Sequence, residues 1–125
     1  MNGDKTVIVW GTGKVRREFL FVDDLADAVS FVLGITKSQL GATVTPRCSH
    51  LNVGSGHDLT ISELAEAIRA VTSFKGGIEF DKSMPDGTPQ KIMDSSRLNN
   101  LGWRSSTSLA DGLSEAYSSF LGSGA

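Results

Sequence analysis

Residues 10–24 read WGTGKVRREFLFVDD, from Trp10 to Asp24. This stretch decides the fold because it ends one strand, turns, runs extended again and opens a helix. Thr6–Trp10 (TVIVW) is short and β-branched, which predicts a strand. Gly11-Thr12-Gly13 closes it with a tight turn. Arg17–Val22 (REFLFV) predicts a second extended run. Asp23 is expected as the N-cap of a helix from Asp24 to Leu33, because its carboxylate can accept from the exposed amides of the first turn. Gly34 supplies the stop. Leu25, Ala26, Ala28, Val29, Phe31, Val32 and Leu33 wrap most of the way round that helix, so it expects neighbours on nearly every side. The same fifteen residues carry Lys14, Arg16 and Arg17 beside Glu18, Asp23 and Asp24. No other stretch is as dense in groups able to hold an anionic ligand.

Working outward, residues 35–49 are polar and without a clear period, which predicts a flexible loop. His50–Val53 reads as a short strand closed by Gly54-Ser55-Gly56. Thr60-Ile61-Ser62-Glu63 has the spacing of a capping box, and Ile61, Leu64, Ala65, Ile68 and Val71 then form one helical stripe ending near Phe74. Ile78–Asp81 predicts a strand, Met84–Pro89 a turn-rich loop, and Lys91–Met93 a brief extended piece. Ser95–Leu101 predicts a short helix stopped by Gly102. Ser108 caps a last helix bearing Leu109, Leu113, Ala116, Tyr117 and Phe120 on one face, and residues 122–125 are a frayed tail. The sum is an α/β class of short strands and three main helices, one domain over 1–125, with no complete Rossmann domain.

The net charge of −2 argues against a nucleic-acid binder that relies on a general basic field. No apolar run approaches the roughly 18 residues of a membrane span, and Val7–Trp10 is too short for a secretory leader. The single cysteine, Cys48, cannot form an internal disulfide, so a cytoplasmic protein is expected. His50 and His57 lack partners at ligand spacing, so no metal is assigned, and Cys48 has no argued base beside it.

Two stretches imitate a dinucleotide-binding loop. In TVIVWGTGKVR the third glycine position holds Arg16, whose bulk prevents the close helix–strand approach that loop needs. In NVGSGHDLT it holds Leu59. Both glycine pairs are therefore read as tight turns, and no cofactor-binding residue is assigned. There is no Tyr-x-x-x-Lys pair: Tyr117, the one tyrosine, has Leu121 four residues on, and no catalytic residue is assigned. Four residues form a candidate substrate-binding set. Trp10 either joins a core or offers a flat face to a base. Arg17 has a planar fork suited to phosphate oxygens, or pairs with Glu18 at the surface. Asp86 can accept from sugar hydroxyls or serve only its Asp-Gly turn, and Lys91 can add a second charge near a diphosphate or pair with Asp94.

Taken together, WGTGKVRREFLFVDDLADA, SHLNVGSGHDLTISELAEAI and FDKSMPDGTPQKIMDSSRLNNLGW resemble the C-terminal part of the GDP-L-fucose synthase family, the GDP-4-keto-6-deoxymannose epimerase/reductases among the extended short-chain dehydrogenase/reductases. The resemblance runs from about Val7 to Leu121. It implies a parent reaction in which a GDP-linked keto-deoxyhexose is epimerised at two carbons and reduced with NADPH. It also implies that Trp10, Arg17, Asp86 and Lys91 match the family's substrate-contacting residues. Gln90 stands where the family motif often has a basic residue, and Lys14-Val15-Arg16 is bulkier than its counterpart. The family's cofactor glycines, Ser-Tyr-Lys set and epimerising Cys and His lie upstream of the matching region, so Cys48 and His50 do not inherit those roles.

The expected function is the substrate-binding portion of a GDP-sugar epimerase/reductase, not catalytic alone, with NADPH belonging to the parent family rather than to this chain. The alternative is a stand-alone nucleotide or nucleotide-sugar binding module, or an inert self-associating fold. Expected partners are a GDP-sugar or another nucleotide-sugar and a cofactor domain or a second copy of the chain, with no nucleic acid and no membrane. The apolar helix 24–33 is the surface such a protein partner covers.

Overall fold

The computed structural model describes residues 5–123. The elements in order are β1 (Thr6–Trp10), β2 (Arg16–Glu18), α1 (Val22–Gly34), α2 (Lys37–Thr43), β3 (Asp58–Thr60), α3 (Ile61–Thr72), β4 (Gly77–Asp81), β5 (Gln90–Lys91), α4 (Ser96–Leu101) and α5 (Leu109–Gly122). This is the expected mix of short strands and helices. The sequence predicted one domain; contacts group the chain into two compact units, one of residues 1–17, 58–91 and 110–125, the other of 18–57 and 92–109.

In the first unit β1 and β4 pair in parallel, from Thr6 beside Gly77 to Trp10 beside Asp81. A second small sheet has the order β3-β2-β5. The turn between β1 and β2 depends on its glycines. Gly11 and Gly13 have φ of +85° and +74°, where a side chain is strained. A Cβ on Gly11 would strike the Asp86 carboxylate, and one on Gly13 would strike the Phe80 ring. Helix α3 starts at the predicted capping box. The Thr60 hydroxyl accepts from the Glu63 amide at 3.1 Å, and the Glu63 carboxylate accepts from the Thr60 amide at 2.7 Å. It ends two residues before Phe74, with Ser73 in the left-handed region at φ +54°.

The second unit holds the buried apolar cluster of the described residues: Ala28, Leu98 and Trp103, with Leu20, Phe31, Val32, Leu51 and Val53 packed on it. Helix α1 begins earlier than expected. Its N-cap is Phe21, without a side-chain hydrogen bond, so Asp23 is not the cap but sits in the first turn beside Asp24. There both carboxylates still oppose the helix dipole favourably. Asp24 is diverted to a tertiary role: it is buried and accepts from the amides and hydroxyls of Ser106 and Thr107 at 3.0–3.3 Å. Asp27, one turn on, accepts from the Trp103 indole N–H at 2.8 Å. The other side of α1 is bare, with Val22, Leu25, Val29 and Leu33 between 44% and 82% exposed.

Three further expectations are corrected. Residues 35–49 are not all loop, because α2 forms within them behind its own capping box of Thr36 and Gln39. His50–Val53 makes no strand; Leu51 and Val53 meet the core cluster from irregular chain. The extended run expected at 17–22 is strand only to Glu18: residues 19–21 belong to no regular element, and α1 begins at Val22. Residues 124–125 of the expected tail lie outside the described residues, while Gly122 closes α5.

Candidate functional site

Trp10, Arg17, Asp86 and Lys91 all belong to the first unit. Trp10 ends β1 and is 72% exposed, so its ring is open and not packed in a core. Arg17 and Lys91 are register partners in the parallel β2–β5 ladder, so two cations lie side by side. One guanidinium nitrogen of Arg17, Nη1, donates to the carbonyls of Arg16 at 2.6 Å and Thr88 at 2.7 Å. Its other terminal nitrogen lies 3.0 Å from where a Cβ on Gly87 would stand. The glycine thus lets the guanidinium lie against the loop, with its orientation fixed before any ligand arrives. Neither Arg17 nor Lys91 is in an ion pair with the Glu18 or Asp94 carboxylate weighed from the sequence; the ion pairs found among the described residues involve Arg16 and Arg69.

Asp86 holds the loop to the turn. Its Oδ1 accepts from the Thr12 amide at 2.8 Å and its Oδ2 from the Thr12 hydroxyl at 2.6 Å. Those two bonds, with Lys14 nearby, hold its carboxyl below the ordinary aspartate value. Through them the loop carrying Gly87 and Thr88, the neighbours of Arg17, is fastened to the glycine turn that follows β1.

The partners of two carboxylates, Asp58 and Glu18, are not evident in the sequence because they lie far along the chain. The Asp58 carboxylate on β3 accepts from Arg16 Nε at 2.9 Å and from the Gln90 amide, and forms an ion pair with Arg16 Nη2 at 2.9 Å. In the second unit Glu18 accepts from the Gly56 amide at 2.7 Å and the Met93 amide at 2.9 Å, and a Cβ on Gly54 would strike it. The Gly54–Gly56 loop therefore already faces a carboxylate of its own chain. The Gly11–Gly13 turn is filled by Asp86 and Phe80. Neither glycine pair fits the pyrophosphate of a dinucleotide, which requires open backbone amides. Among the described residues no helix is long and apolar enough to cross a membrane, and no cluster of three or more His, Cys, Asp or Glu could hold a metal ion.

Comparison with known proteins bears on this arrangement. The NAD dependent epimerase/dehydratase family profile matches residues 1–54. GDP-L-fucose synthase 1 of Arabidopsis thaliana is 48% identical over 121 residues, 97% of this chain and 35% of that protein. A solved GDP-6-OMe-4-keto-L-xylo-heptose reductase from Campylobacter jejuni matches with a TM-score of 0.84 and 38% identity, over 95% of this chain and 34% of the other. A GDP-mannoheptose C4 reductase from the same organism, with NADP bound, gives 0.77 and 36%, over 94% of this chain and 35% of its own. By these matches the chain is similar to the NAD dependent epimerase/dehydratase family, and its solved neighbours are enzymes of the extended short-chain dehydrogenase/reductase kind. In particular, the chain is similar to the C-terminal part of GDP-L-fucose synthases, and it spans about one third of the length of the relatives it matches.

Proposed function

We propose that this chain is the substrate-gripping part of a GDP-sugar epimerase/reductase of the GDP-L-fucose synthase kind. Trp10 stacks on the base, Arg17 and Lys91 hold the diphosphate, and Asp86 fixes the loop while its remaining lone pairs accept from the ligand. The observation that carries this is the coincidence of an open Trp10 with the adjacent cations Arg17 and Lys91 in one unit. An exposed indole has little to gain in stability from being where it is; a stacked base gives it a partner. Two adjacent cations repel, and a diphosphate between them relieves that repulsion.

NADPH belongs to the parent reaction, and no step is assigned to it here, because the glycine pairs of this chain do not fit it. Binding without a hydride donor or a proton-transfer group is not catalysis. The chain is expected to bind GDP-4-keto-6-deoxymannose in equilibrium dialysis while consuming no NADPH in a spectrophotometric assay. Turnover by the chain alone contradicts the reading. The bare side of α1 is the surface that a cofactor domain covers, and in its absence a second copy of the chain. Light scattering at high concentration is expected to show a dimer or larger species, and a clean monomer counts against that assignment.

A further inference from the structure

We propose that Asp58 is a positioning residue, whose carboxylate ties Arg16 to Gln90 and thereby sets the spacing of Arg17 and Lys91 for a diphosphate. The proposal deepens the functional reading above and rests on it. The β2–β5 ladder has only two register pairs, Arg16 beside Gln90 and Arg17 beside Lys91. β3 adjoins β2 and not β5. Asp58 on β3 nevertheless engages both strands. Its Oδ1 accepts from Arg16 Nε and forms an ion pair with Arg16 Nη2, its backbone carbonyl accepts from Arg16 Nη2 at 2.9 Å, and its Oδ2 accepts from Gln90 Nε2. The Asp58 side chain is only 11% exposed.

Side chains alternate along a strand, so Arg16 and Gln90 share one face of this ladder and Arg17 and Lys91 the other. One face is drawn together by a carboxylate, while the opposite face sets two like charges side by side, an arrangement that pushes strands apart. Two backbone register pairs are a weak restraint on β5, both of whose residues are exposed. Asp58 supplies the missing restraint without touching the ligand. The Arg16 and Gln90 hydrogen bonds hold its carboxyl below the ordinary aspartate value, so it is charged at neutral pH.

Charge and position give opposite signs, which makes the proposal testable. Removing a negative charge beside two cations should tighten binding of an anion if charge alone matters. Losing the tie should loosen it. Calorimetric titration of the whole chain with GDP and GMP is expected to show Asp58→Asn and Gln90→Leu each weakening GDP roughly tenfold, the scale of one misplaced charge-assisted contact, with GMP little changed. Gln90→Arg keeps a donor for Asp58 and is expected to bind GDP at least as tightly as the natural chain. Asp58→Asn binding GDP as well as or better than the natural chain overturns the proposal, as does a parallel loss of GDP and GMP. If Asp58→Asn does not fold, Gln90→Leu decides, since Gln90 is exposed; unchanged GDP affinity there overturns the proposal. A natural chain that binds no GDP overturns the functional reading as well, whereas GDP binding with unaffected variants overturns the Asp58 proposal alone.

Discussion

The two units use their apolar and charged residues in opposite ways. In the second, the buried positions include Ala28, Leu98 and Trp103, and the one buried carboxylate, Asp24, is saturated with hydrogen bonds. In the first, the buried positions among the described residues are glycines, Gly11, Gly13 and Gly112, while Val7, Ile8 and Trp10 on β1 stand exposed. The second is organised around a core. The first is organised around tight turns that bring polar side chains together. The contrast teaches where stability and ligand recognition should separate: damage to the second unit should read as unfolding, damage to the first as lost binding.

The largest effect expected is Leu98→Ala. Leu98 is completely buried, and truncating it leaves a cavity costing about 2–5 kcal/mol, read as a lowered midpoint in urea unfolding. A change too small to measure breaks the contrast. Next is Asp24→Asn, expected to cost about 1–3 kcal/mol because an amide oxygen cannot accept all four donors. Burial pushes the Asp24 carboxyl up, but the bonds from Thr107 and Ser106 outweigh it and the folded pKa lies below the ordinary 3.8. Its stabilisation is thus complete above about pH 4 and is lost as pH falls through the depressed folded value. Urea midpoints followed from about pH 5 to about pH 2 should fall more steeply for the natural chain than for Asp24→Asn. Equal slopes remove Asp24 from the account. The smallest effect on stability is expected for Trp10→Ala, within about 0.5 kcal/mol, since the ring is exposed. A loss of several kcal/mol would place Trp10 with the core residues after all.

How much of this was legible follows the distance between partners. β1, β4, the Thr60 capping box and the Gly102 stop each rest on signals a few residues apart, and the sequence shows them. The missed helix α2 was marked by the same T-x-x-Q spacing at Thr36 and Gln39, but its polar, aperiodic surroundings hid it. Asp23 looked like a cap because an aspartate before an apolar run usually is one. In the fold α1 starts without a side-chain cap, and Asp24 serves partners more than eighty residues away. No local pattern reveals such a pairing. The same holds for Asp58 with Arg16 and Gln90, and for Glu18 with Gly56 and Met93. The four candidate site residues were legible only as a set, through the resemblance of whole stretches. The fold adds that all four lie in one unit, that Arg17 and Lys91 are register partners, and that Asp86 binds the turn after β1. Asp86 gains a second role there, since Thr12 engages both of its oxygens.

Trp10 and Arg17 are the proposed grip of the first unit on a nucleoside diphosphate. Calorimetric titration of the full chain with GDP, UDP and ADP, repeated on Arg17→Ala and Trp10→Ala, tests it most directly. Saturable binding that prefers GDP is expected. Affinity should weaken by roughly 1.5–3 kcal/mol in Arg17→Ala, as for a charged hydrogen bond, and by roughly 1–3 kcal/mol in Trp10→Ala, as for a lost stacking partner. Binding of no nucleotide, or GDP binding indifferent to both substitutions, would contradict the proposed grip.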